Sequence, residues 1–264
     1  MKAYDFEFDN RNLSDFNFMI CQFGSKGLET ISNGSKITFN TIPILGGSKY
    51  EMTSTTYEEC LETTIQICKN YCNSDVEEIT STEFREMTKW LSRKKFLKFK
   101  ILDEDYIDLY FEASFNISKI VIDGKLFGLE LEVITNRPFA LKEPKIINIK
   151  NLAQNGKHSI NDTSHEEGYI YPHTEITIIE DGDLNIHNDI ENRDTYIANC
   201  VAGEVITMDY PVIRSSISSH NIQNDFNWNF FRVANTFEKS RNDLTISIPC
   251  MIKVKYSPIV KVGL

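Results

Sequence analysis

The sequence predicts a mainly β protein of two domains, the first of which carries a single α-helix. Three observations lead there. Apolar and polar residues alternate with period two through two long blocks, and helical spacing is confined to one short stretch. The blocks meet at Thr135-Asn136-Arg137-Pro138-Phe139-Ala140-Leu141, where the residue before proline is held extended. At a rough domain size of about 150 residues, a chain of 264 residues forms two domains, each able to bury its own core. We place them at 1–140 and 141–264.

The chain opens with Tyr4, Phe6 and Phe8 facing one way and Asp5, Glu7 and Asp9 the other, followed by Phe16, Phe18 and Ile20. Such alternation describes half-buried strands. The helix comes next, near 81–93. Thr80 and Glu83 have capping-box spacing, and Ile79 and Phe84 can close a hydrophobic staple. Phe84, Met87 and Leu91 recur on one face, and Arg93, Lys94 and Lys95 sit where cations suit the helix dipole. The basic run to Lys98 and Lys100 reads as a solvated helix end. Ile107, Leu109, Phe111, Ala113, Phe115 and Ile117 then form a long apolar face. Beyond it Asp123-Gly124 supplies the positive φ angles of a tight hairpin turn before Phe127, Leu129, Leu131 and Val133.

The second block repeats the β pattern without a convincing helix. Ile176 to Ile179 and Leu184 to Ile186 flank Asp181-Gly182, which reads as a second tight hairpin. Ile206, Met208 and Tyr210, then Leu244, Ile246 and Ile248, then Cys250, Ile252, Val254 and Tyr256 alternate with polar residues. Many short strands punctuated by Gly, Asn and Pro indicate a sandwich.

Composition narrows the chemistry. The first five residues lack the apolar core of a signal peptide, and no run approaches the roughly 18 apolar residues that cross a bilayer. The expectation is a soluble chain made inside a cell, with no membrane insertion. The net charge of −10 is spread evenly: residues 1–137 hold 16 basic and 22 acidic residues, or −6, and the rest hold 12 and 16, or −4. Neither half offers a basic footprint for nucleic acid, so no sequence-specific nucleic-acid partner is expected. Repeated acidic copies would suit the lining of a passage through which DNA moves without sticking.

Cys21, Cys60, Cys68, Cys72, Cys200 and Cys250 are too few and too irregular for a disulfide-stapled scaffold and read as reduced, mostly buried thiols. Sequons at Asn12, Asn33, Asn116 and Asn161 carry little meaning without secretion. No phosphate-binding, dinucleotide, nucleophile-elbow or zinc-protease motif occurs. His158, His165, His173, His187 and His220 give no close pair on one strand face, and His165-Glu166-Glu167 reads as a hydrated loop. Asp181-x-Asp183-x-Asn185 echoes a calcium loop, but Ile186 stands where glycine is needed and Asn192 where glutamate is. Asp103-Glu104-Asp105 reads as a solvated turn. No catalytic residue, metal site or cofactor is expected.

Trp228 and Phe230 alternate as a core strand would; an exposed indole there would instead favour ligand binding. With Tyr169 and Tyr171, Trp228 is the candidate glycan contact. A glycan hydrolase would need two carboxylates facing each other across a groove.

Several segments, in order, resemble the distal tail proteins (Dit) of long-tailed phages infecting Gram-positive bacteria. They are Phe6-Glu7-Phe8-Asp9 with Leu13-Ser14-Asp15-Phe16, then Leu28-Glu29-Thr30-Ile31-Ser32-Asn33-Gly34-Ser35 and Lys89-Trp90-Leu91-Ser92-Arg93-Lys94. The closing Thr135-Asn136-Arg137-Pro138-Phe139-Ala140 and Ile252-Lys253-Val254-Lys255-Tyr256 complete the series. The resemblance covers nearly the whole chain and is strongest over 1–140.

It implies a tail-tube-like ring domain followed by a galectin-like β-sandwich. It also implies a non-enzymatic adaptor of the virion tail tip, made in the host cytoplasm. Self-assembly as a homo-hexamer would leave a channel for DNA. The implied partners are the tail tube protein, the tail hub or tail-associated lysin, and in some relatives a receptor-binding protein. The second block has room for the sandwich and little more, so an inserted sugar-binding module is not expected. For the ring and tube interface the candidates are residues 1–50 and the helix, with Tyr4, Phe6, Phe8, Phe16 and Phe18 on a strand whose edge could pair with a neighbour. The alternative is a carbohydrate-binding adhesin that recognises host cell-wall glycans through the C-terminal sandwich. A tail-like bacteriocin fits the same residues as a virion.

Overall fold

The computed structural model describes residues 3–23, 36–47, 49–70, 78–236 and 238–262. The segment Leu28 to Ser35, with the sequon at Asn33, and Cys72 lie outside the described residues. The chain is mainly β and divides into two compact units, Met1–Lys142 with Val260–Leu264, and Glu143–Ile259. Val260 and Val262, beyond the expected boundary at 140, pack into the core of the first unit.

In the first unit, β1 (Phe6–Phe8), β2 (Arg11–Asn12), β3 (Phe18–Cys21), β6 (Glu62–Lys69), β7 (Leu97–Ile101), β8 (Leu109–Ile122) and β9 (Lys125–Thr135) form one antiparallel sheet in the order β2-β1-β7-β8-β9-β6-β3. β10 (Ala140–Lys142) adds to β8, and β22 (Ile259–Val260) to β10. Ile20 N–H donates to Tyr4 O at 2.9 Å, which brings β3 back to the entry of β1. The sheet thereby curls towards a barrel, the arrangement that removes free strand edges.

The β8–β9 hairpin turns at Asp123 (φ 49°) and Gly124 (φ 78°), the paired positive angles expected of an Asp-Gly turn. β8 starts at Leu109, not Ile107. Ile107 follows the 3-10 turn Glu104–Tyr106 and is exposed, because the turn ends the alternation that its spacing suggests.

Helix α1 (Ser81–Leu91) closes the core. Thr80 Oγ1 accepts from Glu83 N–H, and the Glu83 carboxylate accepts from Thr80 N–H at 2.7 Å, completing the capping box. Met87, Trp90 and Leu91 are buried; Trp90 stacks between Phe6 and Phe16 and its Nε1–H donates to Phe8 O at 3.0 Å. Among the described residues, β4 (Ile37–Pro43) and β5 (Tyr50–Tyr57) pair only with each other.

The second unit is a β-sandwich. One sheet orders β11 (Lys145–Asn151), β21 (Cys250–Tyr256), β14 (His173–Ile178), β17 (Val205–Asp209) and β18 (Val212–Ser215). The other orders β12 (Gly156–Asn161), β20 (Arg241–Ile246), β15 (Gly182–Asn188) and β16 (Arg193–Cys200). β13 (Gly168–Ile170) and β19 (Val233–Asn235) form a short separate pair. Alternate residues such as Ile176, Leu184, Ile186, Ile206, Leu244, Ile252 and Val254 fill the core between the sheets.

Asp181-Gly182 does not make the expected hairpin. β14 and β15 belong to different sheets, Gly182 has φ 149°, and Asp181 accepts from Ala202 N–H instead. Two consecutive alternating runs with inward apolar residues satisfy a crossover between sheets as well as a hairpin. A one-turn helix, α2 (Ile222–Asp225), also departs from the expected all-strand pattern. It is held where His220 Nδ1 lies 2.6 Å from Glu204 Oε1 and Nε2 lies 3.1 Å from Ala198 O.

Candidate interaction surfaces

In the first unit the β4–β5 hairpin leaves a row of large apolar side chains exposed. In register, Ile37 faces Tyr57 and Phe39 faces Thr55, whereas after the bulge near Thr53 it is Met52 and Tyr50 that stand opposite Thr41 and Pro43. An extra residue shifts the side-chain parity of one strand. That shift brings even-numbered Tyr50 and Met52 onto the face of odd-numbered Ile37 and Phe39. Phe39 is 62% exposed, Tyr50 66% and Met52 58%, so this apolar row is not spent on the unit's own core. Among the described residues no third strand joins the pair, and a two-stranded ribbon alone is marginal in water. Two such strands flanking Gly46-Gly47 were the signal in the sequence.

The residues chosen from sequence for the interface separate. Phe6, Phe8 and Phe18 are fully buried among Phe99, Phe115 and Trp90, so they build the first unit's core and are not available to a partner. β1 has no free edge either, since β2 and β7 take both sides. Phe16 is half-buried, stacked on Trp90 at 4.5 Å under the Arg11 guanidinium. Tyr4 is exposed. Strict alternation marks a residue as facing one side of its strand, and the curl of the sheet makes that side the core.

In the second unit, Trp228 and Phe230 do not form a strand. Trp228 sits in a turn at φ 59°, which breaks the alternation: Phe230 is buried, whereas the indole is 56% exposed. Rings continue from it in contact, Trp228 with Phe226 and Phe230, Phe230 with Tyr210, Tyr210 stacked on Tyr171 at 4.1 Å, and Tyr171 against Tyr169. Arg232 lies 3.9 Å over the Tyr169 ring, its guanidinium paired with Glu191 at 2.5 and 2.8 Å. The structure thus brings Tyr169, Tyr171 and Trp228 into one array and adds Tyr210, which sequence reasoning missed because its strand ends there.

The turn is fixed by Asn227, whose N–H donates to Tyr196 O and whose Nδ2 donates to Asp194 O, while Asn229 N–H donates to Asn227 Oδ1. Contacts with Asn185 and His187 hold the Asp194 carboxyl below its usual range. Asp181 and Asp183 serve the fold, accepting from Ala202 N–H and from Asn199 N–H and the Tyr196 hydroxyl. Asp103 Oδ1 caps its own turn by accepting from Asp105 N–H. Among the described residues no group of three or more His, Cys, Asp or Glu is arranged to hold a metal ion.

Comparison with known proteins bears on these surfaces. Residues 1–137 match a family described as the phage tail protein N-terminal domain, and residues 139–256 one described as the phage tail C-terminal domain. The crystal structure of the Dit protein of phage SPP1 is described as a paradigm of the hub adsorption apparatus in phages infecting Gram-positive bacteria. It is similar with a TM-score of 0.65 at 11% identity, over 97% of this chain and 99% of that one. At that identity the likeness is one of fold. No curated protein sequence matches the chain.

Proposed function

The chain belongs to the phage tail protein family, and from that premise we propose that it is a distal tail adaptor whose copies close into a ring at the tail tip. The first unit forms the ring, six copies in the reading we favour. The ring continues the tail tube and joins it to the tail hub or tail-associated lysin, and its axis leaves a channel for DNA. The role is structural and non-enzymatic, its place the virion tail tip.

One observation carries this reading: the β4–β5 arm, with an apolar face its own unit leaves exposed. A neighbouring copy that covers Ile37, Phe39, Tyr50 and Met52 removes that surface from water, and symmetric repetition around an axis closes the set. Multivalency then makes modest contacts durable. Tyr4 remains an interface candidate.

Light scattering on the eluting protein tests it. Wild type runs as a closed oligomer, alone or with its tube and hub partners, and Phe39→Asp with Met52→Asp shifts it to monomer with its far-UV circular dichroism unchanged. An oligomer indifferent to both substitutions contradicts the role of the arm.

A second reading gives the C-terminal sandwich a glycan-recognising role on the host cell wall. The exposed indole of Trp228 favours it.

A further inference from the structure

We propose that the turn bearing Trp228, together with the outward faces of β15 and β16, forms a binding site for an uncharged glycan. The inference rests on the glycan reading of the second unit and is independent of assembly through the β4–β5 arm.

Backbone and side chain conflict at Trp228 unless the ring has a use. A bulky residue at φ 59° holds a conformation that glycine and asparagine adopt more readily. The indole gains only part of the burial that a core tryptophan gains, since it touches Phe226 and Phe230 along one side and leaves more than half of its surface open. The turn cannot relax by swinging away, because Asn227 anchors it by two hydrogen bonds to the backbone of Asp194 and Tyr196 and a third, from Asn229 N–H to Asn227 Oδ1, closes it on itself. A rigid, exposed aromatic face is what the C–H face of a sugar ring stacks on, since the π cloud is negative and the C–H groups positive.

The surroundings select the class of sugar. Asn185, His187 and Asp194 form one linked row, with Asn185 Nδ2 and His187 Nδ1 each 2.9 Å from Asp194 Oδ1. Asp183 and Tyr196 extend it, joined by a 2.7 Å hydrogen bond. Asn227, next to Trp228, binds the backbone of Asp194 and Tyr196, so the turn adjoins the strand that bears this carboxylate and phenol. Polar groups near an apolar ring are the usual composition of a small-ligand site. Arg193 falls on the inward parity of β16, so the outward side chains of these two strands include two carboxylates and no lysine or arginine. Phosphate- or carboxylate-bearing polymers are repelled there, and neutral hexose or N-acetylhexosamine units are accepted.

Acrylamide quenching of the full-length protein tests the assignment. Trp90 is buried and Trp228 is exposed, so quenching reports on Trp228. Triacetylchitotriose, cellotriose and maltotriose serve as neutral probes, and a glycerol-phosphate teichoic acid as the anionic one. At least one neutral trisaccharide should shield Trp228 saturably, by at least twofold in quenching constant. Isothermal titration should show its affinity fall at least tenfold in Trp228→Asn, which suits the left-handed backbone, and severalfold in Asp194→Asn. Phe39→Asp should leave both readouts unchanged. Glycan binding that survives Trp228→Asn overturns this site while leaving the glycan reading of the sandwich intact; no binding to any probe overturns both. Shielding by the teichoic acid alone, or shielding that grows with protein concentration in the absence of sugar, assigns the ring to a different partner and also overturns the proposal.

Discussion

Replacing Glu83 should loosen helix α1 from the sheet by a calculable amount. The carboxylate has two tasks. It closes the capping box with Thr80, and it meets the Lys69 ammonium at 3.0 Å at the end of β6. Lys69 is only 7% exposed at its side chain and Glu83 is 36% exposed, so the pair sits at the edge of the core and not inside it. Loss of a capping residue costs about 1 kcal/mol. A charge-assisted hydrogen bond contributes about 1.5–3 kcal/mol when buried, and the exposure of Glu83 puts this one near the lower end. Glu83→Ala should therefore destabilise the first unit by about 2–3 kcal/mol. Glu83→Gln keeps the capping geometry and should lose about 1 kcal/mol, mainly the charge. In a Lys69→Met background the Glu83→Ala effect should fall to about 1 kcal/mol, a coupling of about 1–2 kcal/mol for groups in contact.

The same carboxylate gives a pH dependence. Burial pushes Glu83 up, but the Thr80 backbone and hydroxyl donors and Lys69 outweigh it and leave the group below its ordinary value of 4.5. A carboxylate depressed in the folded state stabilises fully above that value, and the contribution is lost as pH falls below it through the folded pKa. Urea denaturation followed by Trp90 fluorescence, in a Trp228→Asn background that leaves one indole, reads the first unit alone. A Glu83→Ala loss under 0.5 kcal/mol, or one equal at pH 7 and pH 3, would refute the reasoning.

Trp90→Phe deletes the donor to Phe8 O and part of a stacked ring, and should cost the first unit about 2–3 kcal/mol in a denaturant titration. Asn242→Leu removes the shared acceptor of Asn188 Nδ2 and the Ala234 N–H, leaving the buried Ala234 N–H without it, and should destabilise the second unit by about 2–4 kcal/mol as read by its thermal midpoint. In Gly156→Ala the added carbon would stand 1.8 Å from Asn151 Oδ1, and Asn151 is held buried by its bond to Ile248 O. The same assay should show a loss of about 1–3 kcal/mol. With a thiol reagent at pH 8, the exposed Cys60 should label in the folded protein, whereas Cys200 and Cys250, whose thiols burial pushes up to about 12, should stay unlabelled until the second unit unfolds.

Local chemistry was the legible part of this chain. The capping box at Thr80 and Glu83, the paired positive angles at Asp123-Gly124 and the alternation in β8, β9 and β21 each depend on neighbours a few residues away, and sequence records these directly. What depends on distant pairing was hidden. Phe6, Phe8 and Phe18 announce an inward face, but their use as core follows from closure of the sheet through Ile20 and Tyr4. Asp181-Gly182 carries turn chemistry, yet the strands on either side join different sheets. Trp228 illustrates a third limit, since one left-handed residue reverses the parity on which a strand assignment rests. The β4–β5 arm has the pattern of a hairpin, and the exposure of Phe39, Tyr50 and Met52 on one of its faces emerges only in the structure.

Electron microscopy of the purified chain, alone and mixed with its tube and hub partners, shows directly whether copies close on themselves. Closed rings with an open centre are expected, and Phe39→Asp with Met52→Asp should disperse them. Particles that remain single copies in every mixture would contradict assembly into a ring.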